Sequence, residues 1–303
     1  MELKNFDELI GKIQSRSYVA KVAVAAAHDE HTLEAVFRAR KDRIAEPVLV
    51  GDKIKIRNIL DKLGIQFDDS NIIHTESDME AAVRTVKLIN ENKADFIIKG
   101  KLQTAELLKA VVNKEYGIRT GKVMSHVAIL QVPSYHKFIA VTDGGMVMYP
   151  NVEEKKQIIE NAVDMFRAMG YEKPKVAVIA SIETVNPKMP ETVDADMLKK
   201  MYLAGEIKDC IVEGPISYDL TVNKETAEIK GYKSEVTGDA DIIIAPDITT
   251  GNILSKSLVY SAGGKMAGIV VGAKVPVALT SRGSSSEEKY LSLVLSASTV
   301  NKH

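Results

Sequence analysis

The sequence is short of the features that announce the commoner ligand chemistries. It has a single cysteine, Cys210, which excludes an intrachain disulfide framework and leaves cysteine-rich zinc sites without ligands. No apolar run approaches the roughly 18–20 residues of a membrane-spanning helix. Basic residues are not in excess: the formal net charge is −1, so no bulk positive field points to nucleic acid. An anionic ligand therefore needs local lysines and arginines. The glycine-rich fingerprints G-x-G-x-x-G and G-x-x-x-x-G-K-[ST] are missing, as are G-x-S-x-G and H-E-x-x-H, so none of the chemistries those motifs carry is signalled. Residues 1–9 are charged and helix-like rather than apolar, so no signal peptide is expected. There is no low-complexity segment and no internal repeat. The expectation is a cytoplasmic protein with no membrane and no nucleic-acid partner.

What is present is a globular composition and a rhythm. Hydrophobic residues make up 45% and charged residues 27% of 303 residues, enough for two domains of ordinary size. Short apolar runs alternate with amphipathic helical stretches. Strands are expected at 19–27, 47–50, 71–74 and 95–98, and helices at 28–40, 51–63, 77–90 and 103–112. Such alternation with short connections predicts βαβ units and a largely parallel sheet. The rhythm then changes. Runs at 125–132 and 138–141 flank Pro133-Ser134-Tyr135-His136-Lys137, a spacing that fits a hairpin or a passage between domains. A long helix over 152–169 ends at Gly170, a favourable C-cap. Alternation resumes with strands at 175–180, 209–212, 241–245, 266–271 and 275–279, and helices at 194–204, 249–261 and 285–299. The fold class expected is α/β, two domains with mostly parallel sheets, divided as 1–138 plus 280–303 and 139–279. The last helix is assigned to the first domain because its Leu291, Val294 and Leu295 face needs a partner.

The chain is organised around residues 277–288, read as a buried strand, a polar turn and a helix start. Ser281 and Arg282 are expected at the carboxyl end of the strand, and Glu287 and Glu288 in the first helical turn. In open α/β sheets ligands bind beyond the carboxyl ends of strands, and helix-start N–H groups with one arginine fork seat an anion. The same residues contain two capping boxes, Ser284 with Glu287 and Ser285 with Glu288, which require no chemistry. Both readings stand on these residues alone.

Other strand ends carry polar loops of the same kind. Lys99-Gly100-Lys101 is either a solvated loop or a pair of point charges for phosphate. Gly121-Lys122-Val123-Met124-Ser125-His126 offers a glycine, a hydroxyl and an imidazole. Thr142-Asp143-Gly144-Gly145, Glu213-Gly214-Pro215-Ile216-Ser217-Tyr218-Asp219, and Pro246-Asp247 with Gly251-Asn252-Ile253-Leu254-Ser255-Lys256 complete the set. Any one is ordinary punctuation; six on strand-end positions suggest a shared cleft. His28 and His31 beside Asp29 and Glu30 fit helix-start polarity better than a metal pair, since no further histidine or cysteine accompanies them. Cys210 precedes an apolar strand, as a buried small hydrophobe does.

Taken together these motifs resemble the phosphate acetyl/butyryltransferase family, over nearly the whole chain. The resemblance implies the two-domain fold of isocitrate and isopropylmalate dehydrogenases with an interdomain cleft, a homodimer or higher homo-oligomer, no metal and no permanently bound cofactor. It implies reversible conversion of a short acyl-CoA, butanoyl-CoA in the first place, and phosphate into acyl phosphate and CoA, with coenzyme A as a substrate. It implies catalysis by Ser281 and Arg282, with Glu288 in the place of an aspartate that acts as base in the acetyl-specific relatives. Substrate contacts are expected from Lys99, Lys101, Ser125, His126, Asp143, Tyr218, Asn252 and Lys256, and Met124, Met146 and Met148 are candidates for the acyl pocket.

The chemistry is consistent with those residue types. The thiolate of CoA is the nucleophile on an acyl phosphate, and a carboxylate in reach can take the thiol proton. A guanidinium fork holds the phosphate as it gains charge, and a hydroxyl or backbone donor for the oxyanion contributes about 3–4 kcal/mol. Direct transfer without an acyl-enzyme is expected. Two other readings compete: a metal-dependent decarboxylating dehydrogenase, which lacks its aspartate cluster and arginine-rich motif here, and a non-catalytic acyl-phosphate sensor, against which the Ser281-Arg282 pair argues. One methylene in an apolar pocket shifts preference by only about 1–3 kcal/mol, so acetyl, propanoyl and branched substrates stay open at this point.

Overall fold

A computed structural model of the chain describes residues 2–280 and 283–300. The alternation of the sequence becomes two compact units: residues 6–122 with the chain from 267 onward, and residues 123–266 with the chain up to Asn5.

The first unit opens with α1 (Phe6–Gln14), then runs β1 (Ala20–Ala25), α2 (Glu30–Lys41), β2 (Ala45–Gly51), α3 (Lys53–Lys62), β3 (Ile72–His74), α4 (Asp78–Asn90), β4 (Phe96–Lys99) and α5 (Thr104–Val111). The second unit contains β5 (Ser125–Gln131), β6 (Ile139–Thr142), α6 (Val152–Ala168), β7 (Lys175–Ile179), α7 (Pro190–Leu203), β8 (Ile211–Ile216), α8 (Tyr218–Val222), α9 (Lys224–Ile229), β9 (Ile242–Ile244) and α10 (Ile248–Tyr260). The chain then returns through β10 (Lys265–Val271), β11 (Val277–Ala278) and α11 (Ser286–Thr299).

The strands of the first unit are ordered β3-β2-β1-β4-β11-β10. All neighbours are parallel except β10, which runs antiparallel to β11. β4 is buried along its whole length and β1 at every position but Lys21, as central parallel strands covered on both faces must be. The register aligns Val22 with Phe96 and Val277 with Ile97, so β1, β4 and β11 end side by side. In the second unit β6, β9, β7 and β8 are parallel neighbours, and β5 forms the expected antiparallel hairpin with β6, Ala128 opposite Val141. That hairpin places the crossing between units at Lys122/Val123 rather than near residue 138. The return crossing falls at Met266/Ala267, ahead of 280, because β10 pairs with β11.

α11 buries Leu291, Val294 and Leu295 against the first unit, where it packs on α2 and α1. Truncating one of these side chains to alanine typically removes about 2–5 kcal/mol. Its last carbonyls are bound by one guanidinium: Arg16 donates to Ala297 O at 3.1 Å, Ser298 O at 2.9 Å and Val300 O at 3.2 Å. Among the described residues no helix is long and apolar enough to cross a membrane.

Candidate active site

At the carboxyl edge of the first unit the chain leaving β4 turns back across the end of β1. Gly100 donates to Ala25 O at 2.8 Å and Lys101 to Ala26 O at 2.9 Å. A β-carbon on Gly100 would lie 2.3 Å from Ala26 O, so only glycine permits this approach. The turn sends Lys99 and Lys101 different ways. Lys99 is buried, its Nζ 3.3 Å from both Gly100 O and Leu102 O, whereas Lys101 is exposed. The parallel register of β11 on β4 brings the next chain segment, Leu279-Thr280, out beside this turn. Among the described residues Thr280 Oγ1, buried there, has no hydrogen-bond partner. Ser281 and Arg282, the residues expected to be catalytic, lie outside the described residues.

Beyond them Ser285 caps α11, accepting from Glu288 N–H at 3.2 Å. Only half of the capping box forms. The Glu288 carboxyl accepts instead from the Ser284 hydroxyl at 2.7 Å. Burial pushes this carboxyl above its ordinary pKa, opposed by the Ser284 hydroxyl and by Lys289. Glu287 leaves the site entirely and pairs with Arg38. The capping and catalytic readings of this stretch are thus divided between backbone and side chain: the helix start uses Glu288 N–H and leaves its carboxyl in a proton-retaining environment.

A cavity of about 440 Å³ lies at this edge, lined by Asp29, Asp78, Lys99, Lys101, Gln103 and Lys289 among others. Lys289 was not singled out from the sequence. It is buried, donates to Thr32 Oγ1 at 3.1 Å and pairs with Asp29 Oδ2 at 3.5 Å. The available signal was periodicity: at helical spacing Lys289 shares a stripe with Ser292, Leu293 and Ser296, all buried, which is no place for a solvated lysine. Asp29, whose place beside His28 predicts helix-start polarity, caps α2 by accepting from Thr32 N–H at 3.0 Å. His28 and His31 do not converge. His28 Nε2 lies 3.5 Å from Asp78 and His31 Nδ1 3.3 Å from Glu34. Burial pushes the His28 imidazole below its ordinary pKa. Among the described residues no group of three or more side chains is arranged to hold a metal.

The second unit collects His126, Asp143 and Asn252 at the carboxyl end of β6. Asp143 is buried, and its carboxylate accepts four backbone N–H groups. Oδ1 takes Gly145 at 2.6 Å and Met146 at 2.8 Å; Oδ2 takes His126 at 2.9 Å and Val147 at 3.2 Å. This carboxylate therefore shapes the loop. The glycines let the loop meet the start of α10. A β-carbon on Gly251 would lie 2.4 Å from Asp143 O, and one on Gly145 would lie 3.0 Å from the His126 ring. Asn252 donates to Gly144 O at 3.0 Å and locks the contact, with exposed Lys256 one turn further along α10. Burial pushes the His126 imidazole below its ordinary pKa against the pull of Asp143, and its Nδ1 has no hydrogen-bond partner. Ser125 is turned inward, accepting from Asn161 Nδ2 at 3.1 Å. Tyr218 stands apart from this cluster and lines a smaller cavity with Tyr135, Val132 and Ile139. Cys210 is buried, and desolvation pushes its thiol up to about 12.

Strand ends carrying glycine turns, helix starts and lysines are where open α/β enzymes bind their ligands. Comparison with known proteins agrees. Residues 78–297 match the family model described as phosphate acetyl/butaryl transferase. The chain is 44% identical to the phosphate butyryltransferase of Clostridium acetobutylicum over 97% of its own length and 98% of that protein's. It is also 44% identical to the phosphate acetyltransferase of Thermotoga maritima, over 91% of this chain and 94% of that one. A branched-chain phosphotransacylase from Enterococcus faecalis has the same fold with a TM-score of 0.82, at 31% identity, covering 94% of this chain and all of the other. A 4-hydroxythreonine-4-phosphate dehydrogenase from Klebsiella pneumoniae shares the fold at a TM-score of 0.57 and 16% identity, over 91% of this chain and 98% of that one, in line with the expected dehydrogenase-like architecture. The chain belongs to the phosphate acetyl/butyryltransferase family. It is an acyltransferase.

Proposed function

We propose that the chain transfers a short acyl group, butanoyl in the first place, reversibly between coenzyme A and inorganic phosphate. The observation that carries this reading is the 44% identity over 97% of the chain to an enzyme named phosphate butyryltransferase. An acetyl specificity is the second reading, favoured by the equal identity to a phosphate acetyltransferase.

In the direction of acyl-CoA formation, the Glu288 carboxylate takes the proton of the CoA thiol. The thiolate attacks the carbonyl carbon of the acyl phosphate, the new C–S bond forms and the C–O bond to phosphate breaks. A base works best with a pKa near the working pH, and the burial that raises Glu288 acts in that direction. Arg282 holds the departing phosphate and Ser281 donates to the oxyanion. Lys99 and Lys101 supply positive charge at the same sheet edge. In the second unit His126 and Asn252 lie beside the loop that Asp143 holds, and Asp143 acts through that loop. The transfer is direct, and the working protein is a homodimer or larger homo-oligomer in the cytoplasm.

The test is phosphate-dependent release of CoA from acyl-CoAs of two to six carbons without added metal. Turnover greatest at four carbons supports the butanoyl reading, and a maximum at two carbons supports the acetyl one. No turnover with any of them overturns the function, and a radiolabelled acyl-protein on single turnover overturns direct transfer.

A further inference from the structure

Lys289 has no part in the chemistry above, yet with Lys99 it is one of two buried lysines lining the cavity at the first unit's carboxyl edge. Its residue is 5% exposed. An ammonium has three donors, and here Thr32 Oγ1 and Asp29 Oδ2 account for two directions, while the side chain lines the 440 Å³ cavity with Lys99 and Lys101. Two carboxylates share that lining, and one of them, Asp29, is fully engaged. Asp29 accepts from the N–H and hydroxyl of Thr32 and faces Lys289, which together hold it below the ordinary carboxylate range against the cost of burial. Asp78 faces His28. Three lysines therefore outnumber two carboxylates in a half-enclosed space, where attraction for an anion is screened less than at an open surface.

We propose that this cavity is a phosphate-binding site, with Lys289 as its fixed cation and Lys101 as the exposed cation that closes on the ligand. The assignment rests on the phosphate acyltransferase reading for its two sources of such a group: inorganic phosphate, and the phosphates of CoA. The cavity is larger than one phosphate ion, so the site accommodates the group together with what it is attached to.

The experiment uses the full chain and three variants, Lys289→Met, Lys101→Met and Lys289→Arg. Each is titrated calorimetrically with orthophosphate and, separately, with adenosine 3′,5′-bisphosphate, which carries the nucleotide phosphates of CoA. KM is measured for phosphate and for acyl-CoA in parallel. Lys289→Met is expected to weaken one probe at least tenfold and the other less than twofold. The matching KM rises by the same factor, and Lys289→Arg recovers most of the loss. Loss of orthophosphate marks the substrate-phosphate site, and loss of the bisphosphate marks the CoA end. Lys101→Met weakens the same probe by a smaller factor and, being exposed, decides the question if Lys289→Met does not fold. A purely structural ion pair with Asp29 would lower the unfolding midpoint and leave both titrations unchanged in folded variants. That result overturns the proposal, as does a wild-type chain that binds neither probe. Turnover by the wild type with unchanged titrations sinks the cavity alone. Absent turnover with any acyl-CoA sinks the acyltransferase reading, and the titrations still decide the cavity.

Discussion

Asp143→Asn separates a substrate contact from a loop anchor. The carboxylate accepts four backbone N–H groups, two on each oxygen, between 2.6 and 3.2 Å. An asparagine keeps one acceptor oxygen and turns its NH2 group toward two of those donors. Either orientation of the amide leaves two N–H groups without partners, at Gly145 and Met146 or at His126 and Val147. These donors are only part-buried, but a hydrogen bond to a charged group contributes about 1.5–3 kcal/mol, so losing two should cost about 2–6 kcal/mol, a large share of the roughly 5–15 kcal/mol that holds a typical domain. The weaker 3.2 Å bond to Val147 favours the amide orientation that gives up Oδ2, toward the lower end. With a urea m-value of about 1–3 kcal/mol per molar, the unfolding midpoint of the second unit, followed by far-UV circular dichroism, falls by about 1–2 M. Turnover falls as well, because the loop positions Gly144 against Asn252. A variant that unfolds at the wild-type midpoint but has lost turnover refutes the anchor and returns Asp143 to direct substrate contact.

Glu288→Gln should lower turnover by roughly 10²–10⁴-fold, the usual contribution of a positioned base. The helix cap survives, since it uses Glu288 N–H and the Ser285 hydroxyl. In the wild type turnover rises with pH as the raised Glu288 carboxyl loses its proton, and the variant loses that rise; an identical pH profile in both proteins removes Glu288 as base. The same raised pKa has a stability sign. The folded state holds this proton more tightly than the unfolded one, so stability from this group falls as pH climbs from the ordinary glutamate range through the raised value. The variant is flatter than wild type over that window in urea midpoints. Gly251→Ala places a β-carbon 2.4 Å from Asp143 O and should cost about 1–3 kcal/mol as overpacking, read as a lower unfolding midpoint; an unchanged midpoint means the loop yields freely. Cys210, with its thiol pushed up to about 12, stays unreactive to a disulfide reagent at pH 8 until denaturant is added, and rapid native labelling contradicts its burial.

Much of the scaffold was legible because βαβ alternation is written in periodicity, and within one unit parallel neighbours such as β1, β4 and β11 end on one edge. The misreadings have local causes. α7 begins at Pro190 rather than 194 because proline at the first helical position is pre-set for a helix. β11 is confined to Val277–Ala278, where an apolar run from 275 suggested a longer strand; Pro276 brings no N–H to a ladder. α8 and α9, separated only by Asn223, are too short for a periodic signal. Among candidate site residues, Ser125 and Asp143 have the right residue types for substrate contact but spend them on the protein: one hydroxyl on Asn161, one carboxylate on four amides. Composition and spacing cannot distinguish a carboxylate aimed at a ligand from one aimed at its own loop.

The contrast between Glu288 and Lys289 shows where the remaining information lies. Successive helical residues point about 100° apart, so one step along α11 separates a carboxyl held by Ser284 from an ammonium held by Thr32 and Asp29. The capping box draws attention to Glu288 because its signal is local, complete within Ser285 to Glu288. Lys289 is defined by α2, more than 250 positions away in the chain, and only the packing of α11 on α2 brings its partners to it. Buried charge needs a partner or a ligand to offset its desolvation, and for Lys289 the partner is already engaged with Thr32. A lysine kept in such a place beside two others is better explained by the anion the cavity receives than by the ion pair alone, which a well-packed apolar pair of similar volume would replace at little loss.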